Sequence, residues 1–175
     1  MRQRGFSLIE LMVVVAITAI LLTIGLPSFQ GSLRSNRVAT ATNELMSSFA
    51  LARSEAIRSP GGAAICSTED GTTCGGEWND GWMVWIDLDG DGSPDGADDR
   101  VLRHIETNSK LELTMDSEVA GNEAITIRFD RLGRRIGGDR TVTVEPDVCP
   151  DGHDLVRDLD LSATGQVRIT RRNCT

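Results

Sequence analysis

Residues 5 to 26, GFSLIELMVVVAITAILLTIGL, form an apolar run interrupted by one charge, the carboxylate of Glu10. The 21 residues from Phe6 to Leu26 span about 30 Å as a helix, the depth of a bilayer's hydrocarbon, so the segment is expected to cross a membrane. An unpaired carboxylate in such a span costs roughly 2.5 to 3.5 kcal/mol on insertion scales, and less near an interface, so Glu10 calls for a cation. Arg4 lies beyond Gly5, and no charge follows Glu10 until Arg34. Cleavage of the Gly5–Phe6 bond would free an α-amino group on Phe6, a positive charge that travels with the apolar segment.

In order and spacing, Arg2, Arg4, Gly5, Phe6, Ser7, Leu8, Ile9, Glu10 and Leu11 are similar to the class III signal of type IV prepilins and pseudopilins. That resemblance implies processing by prepilin peptidase after Gly5, N-methylation of Phe6, residence in the inner membrane and extraction into a helical filament. There Glu10 would pair with the Phe6 amine of a neighbouring subunit. The implied partners are other major and minor pilins or pseudopilins, prepilin peptidase and inner-membrane lipid. An ordinary secretory signal also starts basic and runs apolar, but it carries no acid at the head of its core and ends in a small-x-small cleavage site. Here the core runs into Leu26-Pro27-Ser28-Phe29. Arg2 and Arg4 should hold the short end in the cytoplasm, which puts the rest of the chain in the periplasm.

A second carboxylate pattern lies at Asp87-Leu88-Asp89-Gly90-Asp91-Gly92-Ser93-Pro94-Asp95-Gly96-Ala97-Asp98. Acids stand at loop positions 1, 3, 5, 9 and 12 with Gly at 6, as in an EF-hand calcium loop. The last position is Asp rather than the longer bidentate Glu, and the preceding segment reads as a strand. The candidate ligands are Asp87, Asp89, Asp91, Ser93, Asp95 and Asp98; the alternative is a solvated Asp/Gly hairpin turn. No cofactor is required, and Ca²⁺ is the one candidate.

Arg168, Arg171 and Arg172 occur with no acid from Ser162 to Thr175. Such a local patch can contact phosphates even on an acidic protein, and Arg134 and Arg135 would add to it if the two segments are neighbours. No aromatic residue sits among them to stack bases, and a charged strand edge is the alternative. Catalysis is not expected. His104 and His153 have no nucleophile at motif spacing, and no G-x-S-x-G, phosphate loop or catalytic metal motif is present.

Cys66, Cys74, Cys149 and Cys174 all fall in the exported part, where the compartment favours disulfides. Four cysteines allow three connectivities. Cys66 with Cys74 and Cys149 with Cys174 is favoured because each pair flanks one local segment. A zinc site is the rival, but no C-x2-C element is present.

These residues need elements to hold them. Without Arg2, Arg4 and Glu10 the chain retains 16 basic and 25 acidic residues, a formal charge of −9, which is unlike a general nucleic-acid binder. Eighteen glycines and no tyrosine suggest turns and short strands rather than a helical bundle. Val38, Ala41, Leu45, Phe49, Ala52 and Ala56 recur at steps of three or four, which extends the helix to about Ser59 with one apolar stripe. Gly25 and Pro27 are expected to kink or locally melt it. After Gly62 the period becomes two, with strands expected at 81–87, 124–129, 141–144 and 166–170 and shorter ones at 63–66, 101–105, 111–115 and 155–161. The chain thus divides into a leader (1–5), a transmembrane helix (6–26), its amphipathic continuation (27–59) and a β-rich periplasmic head (60–175). The fold class is α+β, a long amino-terminal helix packed on an antiparallel β-sheet head. That is also the pilin fold.

Within pilins, the chain resembles the GspH/FimT-type minor pilins and pseudopilins. The residues responsible are Leu51-Ala52-Arg53-Ser54-Glu55-Ala56-Ile57, Cys66, Trp78-Asn79-Asp80-Gly81-Trp82-Met83-Val84-Trp85 leading into Asp89-Gly90-Asp91-Gly92, Phe129-Asp130-Arg131-Leu132-Gly133-Arg134 and Gly165-Gln166-Val167-Arg168-Ile169. The resemblance implies a minor subunit that initiates or caps a type IV pilus or a type II secretion pseudopilus. Some FimT-type proteins bind DNA for natural transformation through a terminal Gly-Arg-x-Arg element. The corresponding residues here, Gly165, Gln166, Val167 and Arg168, lack the first arginine.

Overall fold

The computed structural model describes residues 7–94, 99–116 and 125–175, without the side chains of 24 and 26–28. The chain divides into two compact units, Met1–Asn36 and Arg37–Thr175.

In the first unit, helix α1 (Leu8–Arg58) begins, with Glu10 in its first turn. Its apolar side chains from Leu8 to Leu22 are half or more exposed, an arrangement that is unfavourable in water. Thr18 and Thr23 donate their hydroxyls back to Val14 O and Ile20 O, both at 2.7 Å, so neither presents a free donor to apolar surroundings. Described side chains in this run stop at Thr23; among the described residues no helix is long and apolar enough to cross a membrane. The local melting expected at Gly25 and Pro27 is corrected, because α1 runs unbroken through both. A proline forfeits one backbone bond, and the turns on either side carry the helix across it.

In the second unit, the stripe expected from the sequence is the buried one: Val38, Ala41, Leu45, Phe49, Ala52 and Ala56 are all 5% exposed or less. The helix ends at Arg58, before Ser59-Pro60-Gly61-Gly62, where a proline and two glycines stop it. Eight strands follow: β1 (Ala63–Ser67), β2 (Gly81–Ile86), β3 (Arg100–Glu106), β4 (Leu111–Met115), β5 (Thr126–Phe129), β6 (Arg140–Pro146), β7 (Val156–Leu161) and β8 (Val167–Arg172). They form two antiparallel four-stranded sheets, ordered β3-β2-β1-β5 and β4-β6-β7-β8. The helix stripe, Ile65, Trp82, Val84 and Ile127 from the first sheet, and Leu113, Val142, Val144 and Leu159 from the second make one core. Each large side chain buried there contributes about 1.5–3 kcal/mol. The Trp82 indole donates to Ser48 Oγ at 3.0 Å, fixing the helix against β2 without leaving a polar group unmet.

One expectation fails in β1 and β2, which are buried along their whole length rather than at alternate residues. Their far face carries Ala64, Cys66, Met83 and Trp85, packed with Cys74. The segment between β1 and β2 covers it, tied back by the Cys66–Cys74 disulfide. Cys149–Cys174 closes the second bridge, so the favoured pairing is the one formed.

Candidate functional site

Three groups of residues carry chemistry, and each is placed by a different element. Glu10 stands exposed in the first turn of α1, where a carboxylate is favoured by the helix dipole. Among the described residues it pairs with no cation. Gly5 and Phe6, the expected processing and assembly residues, lie outside the described residues.

The acidic loop leaves the end of β2. Asp87, 1% exposed, accepts from Gly90 N at 2.6 Å through Oδ1 and from Arg128 Nη2 at 3.0 Å through Oδ2. Asp89 Oδ1 accepts from Asp91 N at 3.1 Å and Asp91 Oδ1 from Ser93 N at 2.7 Å, a run of Asx turns that folds the loop on itself. Carboxylate oxygens of Asp87, Asp89, Asp91 and Asp99 all lie within 4.8 Å of one another. Three of the six expected ligands therefore converge, and Ser93 serves through its backbone. Asp95 and Asp98 lie outside the described residues.

Asp99 was missed by the sequence reading because it falls one place beyond the twelve-residue frame. The frame assumes an exit into a helix, whereas this loop returns into β3. Its Oδ1 accepts from Leu88 N at 2.9 Å, while its Oδ2 is buried with no donor among the described residues. Burial, reinforced by the charges of Asp89, Asp87 and Asp91, raises its pKa above the usual carboxylate value. Four clustered oxygens of this kind suit a hard divalent cation such as calcium.

The expected basic patch is split up. Arg172 is spent on Asp158, with Nε on Oδ2 at 2.5 Å and Nη2 on Oδ1 at 3.0 Å. That bond, with Thr143 adding another, holds the Asp158 carboxyl below its usual range. Strand alternation puts Arg168 on the same face of β8, opposite Asp160, and sends Arg171 to the other face, opposite Arg157. Arg134 pairs with Asp130, Nε to Oδ2 at 2.9 Å, and Arg135 is 6% exposed. Acids thus interleave with the arginines, and one of the five is buried. The two segments are neighbours nonetheless: Arg135 N donates to Ala163 O at 3.0 Å, and Arg53 Nη1 donates to Gly165 O at 3.2 Å. His104 is exposed on β3, and His153 is exposed in the loop closed by Cys149–Cys174.

A helix whose apolar face enters a two-sheet antiparallel head, preceded by a basic, Gly-Phe and Glu signal, defines a pilin-like protein. Residues 41–165 match the family described as "Type II transport protein GspH", and residues 1–26 match the "Prokaryotic N-terminal methylation motif". The first match spans more than half of the chain, which therefore belongs to the GspH family of minor pilins and pseudopilins. "Prepilin peptidase-dependent protein D" of Escherichia coli (strain K12) is 39% identical over 80 residues, 45% of this chain and 47% of that protein. The chain thus spans about half the length of the curated relative it matches. No solved structure matches it significantly.

Proposed function

We propose that this protein is a minor pilin or pseudopilin, cut between Gly5 and Phe6 by prepilin peptidase. It sits in the bacterial inner membrane by one span, with its head in the periplasm, until it enters a filament and helps initiate or cap a type IV pilus or a type II secretion pseudopilus. The observation that carries this reading is Glu10. It is a single exposed acid in the first turn of a helix whose neighbouring apolar side chains are also exposed. In lipid that charge is costly, and beside the free amine of Phe6 on the next subunit it is neutralised. Membrane lipid and neighbouring pilins are the partners this mechanism needs.

The test is intact-mass and amino-terminal analysis of unreduced protein from native membranes. A chain that begins at methylated Phe6 and carries two disulfides supports the reading, whereas one that begins at Met1 or beyond Leu26 removes it. Calcium at Asp87, Asp89, Asp91 and Asp99 is proposed alongside it, supported by the buried, unpartnered Asp99 Oδ2. The alternative, a DNA-binding minor pilin acting in DNA uptake, rests on Arg168 and Arg171, the arginines of β8 outside the Asp158 pair. Its test is salt-sensitive retardation of duplex DNA by the full chain, lost in the Arg168→Gln, Arg171→Gln double variant.

A further inference from the structure

Next to the acidic loop lies a cavity of about 270 Å³, lined by Asp91, Thr126, Arg128, Arg135, Gly138 and Arg140 among others. Arg128 comes from β5 in one sheet, Arg140 from the start of β6 in the other, and Arg135 from the connection between them. Arg135 and Arg140 are 6% and 9% exposed. A guanidinium does not shed its proton in a protein, so both stay cationic at that depth. Burial lowers the pKa of Arg135 and the like charge of Arg140 adds to the effect, while the carboxylate of Asp139 opposes it in part.

Their donors are largely unused. Arg135 Nη1 donates to Ile136 O at 3.3 Å, but Arg135 Nε, Arg135 Nη2 and Arg140 Nε find no acceptor among the described residues. The nearby carboxylates accept from other donors, Asp87 from Arg128 at 3.0 Å, Asp91 from Ser93 N at 2.7 Å and Asp139 from Ala163 N at 3.0 Å, and the charge of Asp139 acts on Arg135 without a hydrogen bond to it. A buried donor left without an acceptor costs about 1–3 kcal/mol, and more when charged. Three such donors belong to side chains that line one cavity, each closed from it as the guanidinium stands, and a small turn of either guanidinium would bring them to a group that only accepts and carries several oxygens; guanidinium forks match phosphate oxygens in that way. The volume is below the roughly 300–1,000 Å³ of pockets for drug-sized ligands, which restricts the occupant to a compact one.

We propose that this cavity binds a phosphate group, either as free inorganic phosphate or as a small phosphate monoester, held by the unpaired donors of Arg135 and Arg140 and the Thr126 hydroxyl. Bound there, the anion bridges β5 and β6 and so joins the two sheets; it stabilises the head in proportion to its occupancy.

The test uses the full chain in detergent micelles, titrated with inorganic phosphate, methyl phosphate or acetate, read by phosphorus NMR line broadening and by the thermal unfolding midpoint. The expected result is a saturable response to phosphate that Arg140→Gln weakens about tenfold or more. Gly138 offers an independent variant, because a Cβ there meets nothing within 4 Å. Gly138→Asp places a carboxylate in the cavity, and should abolish phosphate binding in a chain that still unfolds cooperatively. Saturation by phosphate alone identifies the free ion, and saturation by methyl phosphate as well identifies a monoester site. The proposal is overturned by a response that does not saturate, by acetate binding as tightly as phosphate, or by Gly138→Asp and Arg140→Gln binding like the parent chain.

Discussion

Arg128 Nη2 donates to Asp87 Oδ2 at 3.0 Å, and this one bond ties a cluster of four carboxylates to a cavity lined by three arginines, with Asp91 shared by both. Asp87 is buried while Arg128 is a third exposed, so the arginine neutralises a carboxylate that has little water of its own. Arg128→Leu should therefore leave an unmatched charge beside three others. Partial exposure of the arginine puts the expected loss near the low end of the range for broken buried pairs, about 3 kcal/mol. Urea unfolding with and without calcium checks it. The loss should be largest in chelator and partly restored by calcium, which replaces the missing positive charge.

Asp99 gives a prediction with a definite sign. Its folded pKa is raised above the unfolded value, so its contribution is fully present below the unfolded pKa and is lost as pH rises through the folded one. At neutral pH without calcium the ionised group therefore opposes folding. Asp99→Asn should raise the unfolding temperature at pH 7 in chelator, show little difference from the parent near pH 3, and remove most of the calcium-induced increment. An unchanged calcium increment in Asp99→Asn would place the ion elsewhere.

Two glycines approach each other across the segments that hold Arg53. A Cβ on Gly165 would run into Gly133 O, and the residue sits at φ +75°, where a side chain adds strain. A Cβ on Gly133, at φ +69°, would meet side-chain atoms instead, Arg53 Nε and Ile57 Cδ1 at 3.1 Å, and these can move. Gly165→Ala is thus expected to lower stability more than Gly133→Ala, with the latter costing about 1 kcal/mol. Thermal unfolding of the two variants side by side settles the order.

Much of this was legible from spacing. The stripe from Val38 to Ala56 follows helical period, and every member is buried as expected, because a helix laid on a core has one apolar face to satisfy. The strands also lay where β-branched and aromatic runs met Gly, Asp or Pro. What period two did not reveal was the second cover over β1 and β2, since Ala64, Cys66, Met83 and Trp85 are hidden by a disulfide-tied loop whose path depends on tertiary closure. The candidate sites were harder for the same reason. Asp99 joins Asp87 through the return of a strand, and Arg140 meets Arg135 through the apposition of two sheets; no local motif encodes either meeting. The terminal arginines show the converse, adjacent in sequence yet sent to opposite faces of β8 by strand alternation.

Assembly and folding should separate cleanly at two positions of one helix. Leu45 is fully buried in the head's core, so Leu45→Ala removes apolar contact and leaves a cavity, at a cost of about 2–5 kcal/mol. Glu10 is an exposed acid in the other compact unit. Glu10→Ala should therefore leave the unfolding of the head unchanged, and because the alanine no longer needs a cation, the chain should stay in the membrane fraction. If Glu10 acts by pairing with a processed amino terminus, its loss appears as depletion of the protein from sheared filaments, with Glu10→Asp depleted less than Glu10→Ala. Recovery of Glu10→Ala at the parent level, beside a Leu45→Ala chain that fails to accumulate, would show that the head alone directs incorporation.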